Sequence, residues 1–295
     1  MYSFKNIEIT DKELFDSFFK SKYENSEANF TNLLIWQDFY KTRFATDDGF
    51  LVIVNTSTDG KIHCYMPYGE GDIKKCLLKL KEYCLSLGEP LRITNANARQ
   101  AQMISEIFPK SRVQKNEGFF DYVYLAKSLS ELSGKKLHSK KNHLNRFKQT
   151  YPNYVYRPIE PKDFANCIEF ASKLMLKDRN ETDLEYIAEL RSIETAFKYF
   201  HTLELKGGII EIEGNIAAFS VGESHTEDCA LIHIEKANTD YTGIYVAINN
   251  EFVNNTWLDY TYINREEDMG IEGLRKAKRS YKPDHMVEKY MCIVP

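Results

Sequence analysis

Residues 263–282 read INREEDMGIEGLRKAKRSYK. The stretch closes a predicted strand, 260–264, and contains a predicted helix, 270–279. Between them lies an acidic run, Glu266-Glu267-Asp268 beside Arg265, followed by a basic run of Arg275, Lys276, Lys278, Arg279 and Lys282. Arg275, Lys278, Arg279 and Lys282 fall at i, i+3, i+4 and i+7, so they share one helix face. Acids just ahead of a helix suit the positive end of its dipole, which explains Glu266, Glu267 and Asp268 as caps but not Arg265. The stretch is either a clamp whose halves pair with each other or the wall of a site that handles anions and an amine.

Outward from this stretch, one order of elements occurs twice. In the first half, strands are predicted at 42–46, 50–55 and 61–66, joined by the turns Asp47-Asp48-Gly49 and Thr58-Asp59-Gly60. A helix at 73–87 follows, with Leu77, Leu80, Cys84 and Leu87 on one face, then a strand at 91–94, a helix at 98–108 and extended chain at 120–125. In the second half, long helices at 162–177 and 183–199 precede a hairpin of 208–213 and 216–223 across Gly214-Asn215. A strand at 230–236, a helix at 244–254, the strand at 260–264, the helix at 270–279 and a last strand at 288–294 complete it. Meander, helix, strand, helix, strand thus appears twice, as expected of a duplicated α/β unit. The predicted domains are 1–130 and 151–295, joined by a basic linker helix within 131–150. That linker, KKLHSKKNHLNRFK at 135–148, holds six Lys or Arg and no acid, with Leu137, Leu144 and Phe147 as its apolar stripe.

Composition narrows the setting. A length of 295 residues suits two domains, and a net charge of −4 draws the chain to neither nucleic acid nor anionic membrane as a whole, so polyanion binding needs a local patch. The six cysteines, 64, 76, 84, 167, 229 and 292, form no CxxC pair and no zinc spacing, and are expected to be reduced and mostly buried. MYSFKNIEIT lacks a basic n-region and an apolar h-region, and apolar runs fall far short of the ~20 residues a membrane span needs. A cytoplasmic chain without metal dependence is the expectation.

Four stretches carry a resemblance: GKKLHSKKNHLNRF (134–147), HIEKANTDYTGIYVAINNEF (233–252), residues 262–283 around the opening stretch, and MVEKY (286–290). Together with the element order they resemble a bacterial family of uncharacterised proteins, whose domain is similar to the C-terminal catalytic domain of phosphatidylglycerol lysyltransferases, over nearly the whole chain. The resemblance implies an α/β (α+β) fold of tandem GNAT-like acyltransferase domains, with mixed central sheets flanked by helices. It also implies kinship with Fem-type enzymes, which take aminoacyl groups from aminoacyl-tRNA. The first domain would then be a degenerate copy, and the site would lie in the second, between strands 230–236 and 260–264. The membrane-spanning region of the lysyltransferases is not seen in this sequence, which makes a membrane-bound lipid acceptor a lesser expectation.

His233 and Glu235 lie two apart on a strand, hence on one face, and form either a general-base wall or a buried hydrogen-bonded pair. Glu266 at the end of the next strand is the other candidate base, or a helix cap. Tyr281 is a general acid by analogy with acetyltransferases, or a packing residue. The backbone amides of Gly243 and Ile244, opening the helix after the third meander strand, are candidates for an anionic donor, with Arg275 and Lys278. That turn keeps one glycine, carries Asp240, and reads equally as a plain capped helix. Lys135, Lys136, Lys140, Lys141 and Arg146 are candidate nucleic-acid contacts, or a solvated basic face. The expected reaction is transfer of an aminoacyl group from aminoacyl-tRNA, or an acyl group from acyl-coenzyme A, to a small-molecule or peptide amine or a hydroxyl. The alternative is a non-catalytic module that binds a ligand or nucleic acid on the same fold.

Overall fold

A strand buried on both faces needs an unbroken apolar run, and FLVIV at the start of Phe50–Thr56 supplies one. The computed structural model describes residues 2–19, 22–177 and 182–295. The chain folds as two units: one reaches Phe120 and takes back Val287–Pro295, and the other is Asp121–Met286.

The first unit holds β1 (Lys5–Asn6), α1 (Lys12–Phe19), α2 (Phe30–Tyr40), β2 (Arg43–Asp47), β3 (Phe50–Thr56), β4 (Ile62–Cys64), β5 (Tyr68–Gly69), α3 (Ile73–Ser86), β6 (Leu91–Ala96), α4 (Ala98–Ile107) and β7 (Arg112–Lys115). Its sheet runs β1-β2-β3-β4-β6, then the chain's last strand, Tyr290–Val294, then β7, with β5 paired to β3. Helix α3 turns Cys76, Leu77, Leu80 and Cys84 to the core. Leu87, expected on the same face, is exposed because the helix ends at Ser86.

The second unit holds β8 (Asp121–Leu125), α5 (Ala126–Glu131), α6 (His138–Thr150), β9 (Val155–Pro158), α7 (Phe164–Met175), α8 (Leu184–Lys198), β10 (Lys206–Ile212), β11 (Asn215–Ser224), β12 (Cys229–Ala237), α9 (Ile244–Phe252), β13 (Tyr262–Asn264), α10 (Glu272–Ser280) and β14 (His285–Val287). Tyr290–Val294 is β15. The second sheet runs β14-β8-β13-β12-β11-β10-β9. Its core gathers Phe147, Ile210, Ala218, Ile248, Phe252 and Trp257.

Each sheet contains a parallel pair bridged by a helix. Strands β4 and β6 enclose α3, and β12 and β13 enclose α9. Two strands cross the boundaries expected from sequence. β8, expected within the first domain, pairs antiparallel with β13, and β15, expected to close the second, lies between β6 and β7. Apolar alternation identifies a strand without naming its neighbour, so this exchange is decided by packing. The basic helix begins at His138, which leaves Lys135 and Lys136 in the preceding loop.

Candidate functional site

β12 and β13 pair through Cys229↔Tyr262, Ala230↔Ile263 and Leu231↔Asn264. There β13 ends, while β12 continues to Ala237. The parallel pair therefore opens beyond Leu231, and side chains from both strand ends meet across the opening. The β11–β12 register pairs Val221 with Ile234 and Gly222 with Ile232, so His233 is the extra residue of a bulge. Bulges re-aim side chains, and this one gives His233 and Glu235 separate partners despite their spacing of two.

Glu235 lies on β12 beyond its last pairing with β13. Its Oε1 accepts from Arg265 Nη2 at 2.8 Å, and its Oε2 accepts from Asn249 Nδ2 at 3.4 Å. The Arg265 guanidinium lies 4.9 Å from the Tyr281 ring centre and 5.8 Å from that of Tyr124. Lys140, reaching in from α6, lies 4.0 Å from the Tyr281 ring centre. Two buried polar atoms, Arg265 Nη1 and Asn249 Oδ1, have no hydrogen-bond partner among the described residues. Asn249 is only 3% exposed, so these atoms mark a polar site in a largely closed interior. Burial lowers the Lys140 pKa to about 8, helped by the Arg265 charge and opposed by Glu235. Burial pushes the Tyr281 phenol up to about 12, against the pull of Arg265.

His233 forms a second cluster. Its Nε2 lies 2.8 Å from Glu223 Oε1 and its Nδ1 lies 3.0 Å from Glu266 Oε1, with the imidazole 1% exposed. Burial alone disfavours the cation, but the bonds and charges of Glu223 and Glu266 outweigh it and raise the pKa to about 9.

The opening stretch of the sequence divides between these clusters and itself. Asp268, fully buried, accepts from Arg275 Nε at 2.8 Å, Arg275 Nη2 at 3.0 Å and Tyr122 at 2.6 Å. Lys278 donates to the carbonyls of Arg265 and Glu267, and burial lowers its pKa. The clamp reading therefore holds for Asp268, Arg275 and Lys278, while Arg265 and Glu266 reach to β12.

In the turn ahead of α9, one of the two candidate amides is engaged. Ile244 N–H donates to Tyr241 O, and Gly243 has φ +89°. A Cβ on Gly243 would sit 2.8 Å from His143 O and 3.2 Å from Phe147 Cβ, so α6 packs directly on this turn. Asp240 pairs with Lys177 at 2.8 Å. Arg275 and Lys278, grouped in the sequence reading with Gly243 and Ile244, are held at α10 by Asp268 and backbone carbonyls instead.

The basic segment divides as well. Lys140 turns inward to Tyr281, and Lys141 donates to Glu131 O at 2.9 Å. Arg146 is exposed. Lys135 and Lys136 line a groove of about 550 Å³. Sequence reasoning passed over Asn249, Tyr124 and Glu223. Asn249 had a signal: paired asparagines inside the apolar helix IYVAINNEF are poor helix formers and call for buried partners. Among the described residues no group of three His, Cys, Asp or Glu side chains is placed to hold a metal ion.

The family model for the C-terminal region of phosphatidylglycerol lysyltransferase matches residues 18–293. A conserved protein of unknown function from Bacteroides thetaiotaomicron is 36% identical, with full coverage of both chains and a TM-score of 0.91. The C-terminal domain of a putative lysylphosphatidylglycerol synthetase from Agrobacterium fabrum is 13% identical over 98% of this chain and 93% of that one, with a TM-score of 0.65. A tandem GNAT protein from the clavulanic acid biosynthesis pathway shares the fold over 99% and 98% of the two chains, at 9% identity and a TM-score of 0.51. An uncharacterized protein of Mycoplasmoides gallisepticum is 26% identical over 179 residues, a match covering 61% of this chain and 58% of that relative's length. This chain has the tandem GNAT architecture and belongs to the family of phosphatidylglycerol lysyltransferase C-terminal domains.

Proposed function

We propose that the second unit moves an aminoacyl group from aminoacyl-tRNA to an amine or hydroxyl acceptor. The family and fold are those of acyltransferases of the lysyltransferase and GNAT type. The observation that favours an aminoacyl-tRNA donor over acyl-coenzyme A is the turn at Gly243, with one amide engaged and α6 packed on it. An anion needs open N–H groups at a helix N-terminus. Here Ile244 N–H is spent on Tyr241 O, and α6 lies against the glycine. Among the described residues no helix is long and apolar enough to cross a membrane.

The opening between β12 and β13 supplies the groups for transfer. An acceptor amine attacks the ester carbonyl carbon, forming the C–N bond, and gives a proton to Glu235. Arg265 Nη1 donates to the carbonyl oxygen as negative charge develops there. As the ester C–O bond breaks, the proton passes from Glu235 to the leaving ribose oxygen. Tyr281 and Tyr124 hold the guanidinium plane, and Asn249 holds the second carboxylate oxygen of Glu235.

Transfer of a radiolabelled aminoacyl group from charged tRNA to a panel of amines tests this. Glu235→Gln is expected to lower the rate by about 10²- to 10⁴-fold and Arg265→Lys by about 10²- to 10³-fold. Thermal shifts confirm that both variants fold. Stabilisation by micromolar acetyl-coenzyme A, with transfer from it, overturns the choice of donor. RNA binding without turnover on any acceptor moves the reading to a binding module.

A further inference from the structure

The groove at the start of α6 is not part of the acyl-transfer cluster, yet two chain segments lead from one to the other. Its lining includes Ser128 and Ser133, the loop lysines Lys135 and Lys136, and Lys282 with Asp284 from beyond α10. Three lysines and two serines thus line it together with one acid. That acid is already engaged, since Asp284 Oδ2 lies 3.0 Å from His285 Nδ1. The cavity, about 550 Å³, is in the size range of small-ligand sites. Its connections are specific. Lys136 precedes Lys140 by four residues across the start of α6, and Lys140 lies 4.0 Å from the Tyr281 ring centre. Tyr281 packs against Arg265, and the next residue, Lys282, lines the groove. Chain neighbours on both sides thus link the groove to the Glu235–Arg265 opening, where Arg265 Nη1 and Asn249 Oδ1 are buried without hydrogen-bond partners among the described residues.

We propose that this groove binds the terminal phosphodiesters of the RNA donor, through Lys135, Lys136 and Lys282, and delivers its 3′ end to the opening. The inference rests on the aminoacyl-tRNA reading and sharpens it. It moves RNA recognition from the outer face of α6, where Arg146 lies, to the loop before the helix. Lysines contact a phosphate backbone without reading sequence, so affinity depends on salt and not on base identity. Lys140 and Lys141 contribute little contact, because one is turned to Tyr281 and the other donates to Glu131 O.

The test uses the full chain and a fluorescein-labelled RNA hairpin with a four-nucleotide single-stranded 3′ end. The same hairpin without that end is the comparison. Fluorescence anisotropy is read from about 50 to 200 mM salt, the range over which phosphate contacts reveal themselves. The expected result is tighter binding of the hairpin with the single strand. Lys135→Glu/Lys136→Glu and Lys282→Glu should each weaken it at least tenfold. They should also flatten the salt slope by about 0.7 per contact removed. Lys173→Glu, a surface control on α7, should change nothing. All four lysines are exposed, so melting temperatures should stay at the wild-type value and exclude misfolding. Wild-type affinity in the groove variants overturns the proposal, as does no preference for the single-stranded end. So does an Arg146→Glu variant that loses as much as they do. Failure here is separable from failure of the functional reading. Groove-dependent RNA binding without aminoacyl transfer removes that reading and leaves the groove. Transfer from charged tRNA with unchanged RNA affinity in the groove variants does the reverse.

Discussion

His233 enters the interior as a cation held by two carboxylates, Glu223 at 2.8 Å and Glu266 at 3.0 Å. Its folded pKa, about 9, stands above the unfolded value near 6.5. The charged imidazole therefore stabilises the fold fully below about pH 6.5, and this contribution is lost as pH rises through 9. A shift of this size corresponds to on the order of 3 kcal/mol. Lys140 acts in the opposite sense, because its depressed pKa relieves a burial cost as pH rises through about 8. The difference between wild type and His233→Gln isolates the histidine. In urea titrations the wild-type advantage should shrink steadily from pH 6.5 to 9.5, and a difference that is flat with pH rules out the buried cation. The sequence marked His233 and Glu235 as one pair on one face. It carried no sign of the bulge that gives them different partners, because a bulge depends on the register of the neighbouring strand.

Helices α6 and α9 show at the element scale how a site is closed. Leu144 and Phe147 bury the apolar stripe of α6 while Gly243, at φ +89°, lets the helix approach the turn. Gly243→Ala introduces both a left-handed strain and a Cβ 2.8 Å from His143 O. The expected loss is about 2 kcal/mol or more, measured by chemical denaturation. An alanine variant of wild-type stability would mean that α6 does not rest on this turn. The stripe of α6 was legible from the spacing of Leu144 and Phe147. Its inward lysine was not: Lys140 reads as one of six exposed cations until Tyr281 and Arg265 are brought beneath it. Similarly, α10 was legible as a helix with one charged face, but which of its cations pair with Asp268 was set by the loop that buries that carboxylate.

At the scale of the whole molecule, the exchange of β8 and β15 means that the first unit is completed by the chain's last residues. β15 contributes Cys292 and Val294 to the first core and pairs with both β6 and β7. A chain ending at Met286 leaves β7 and β6 without that strand. Hydrogen exchange in β7 should then approach unprotected rates and β6, still paired to β4, should lose protection in part, while β10, β11 and β12 keep theirs. Equal protection in the full and shortened chains would show that β15 is dispensable to its sheet. The sequence by itself determined the elements and their order, because apolar period and turn residues act within a few positions of each other. It also determined the tandem GNAT fold and the family, through long local motifs. Only the tertiary structure decided the partners: which strand completes each sheet, that Arg265 answers Glu235 across the opening, and that α6 covers the turn at Gly243. Those choices depend on packing and burial between residues distant in the chain, and no local pattern encodes them.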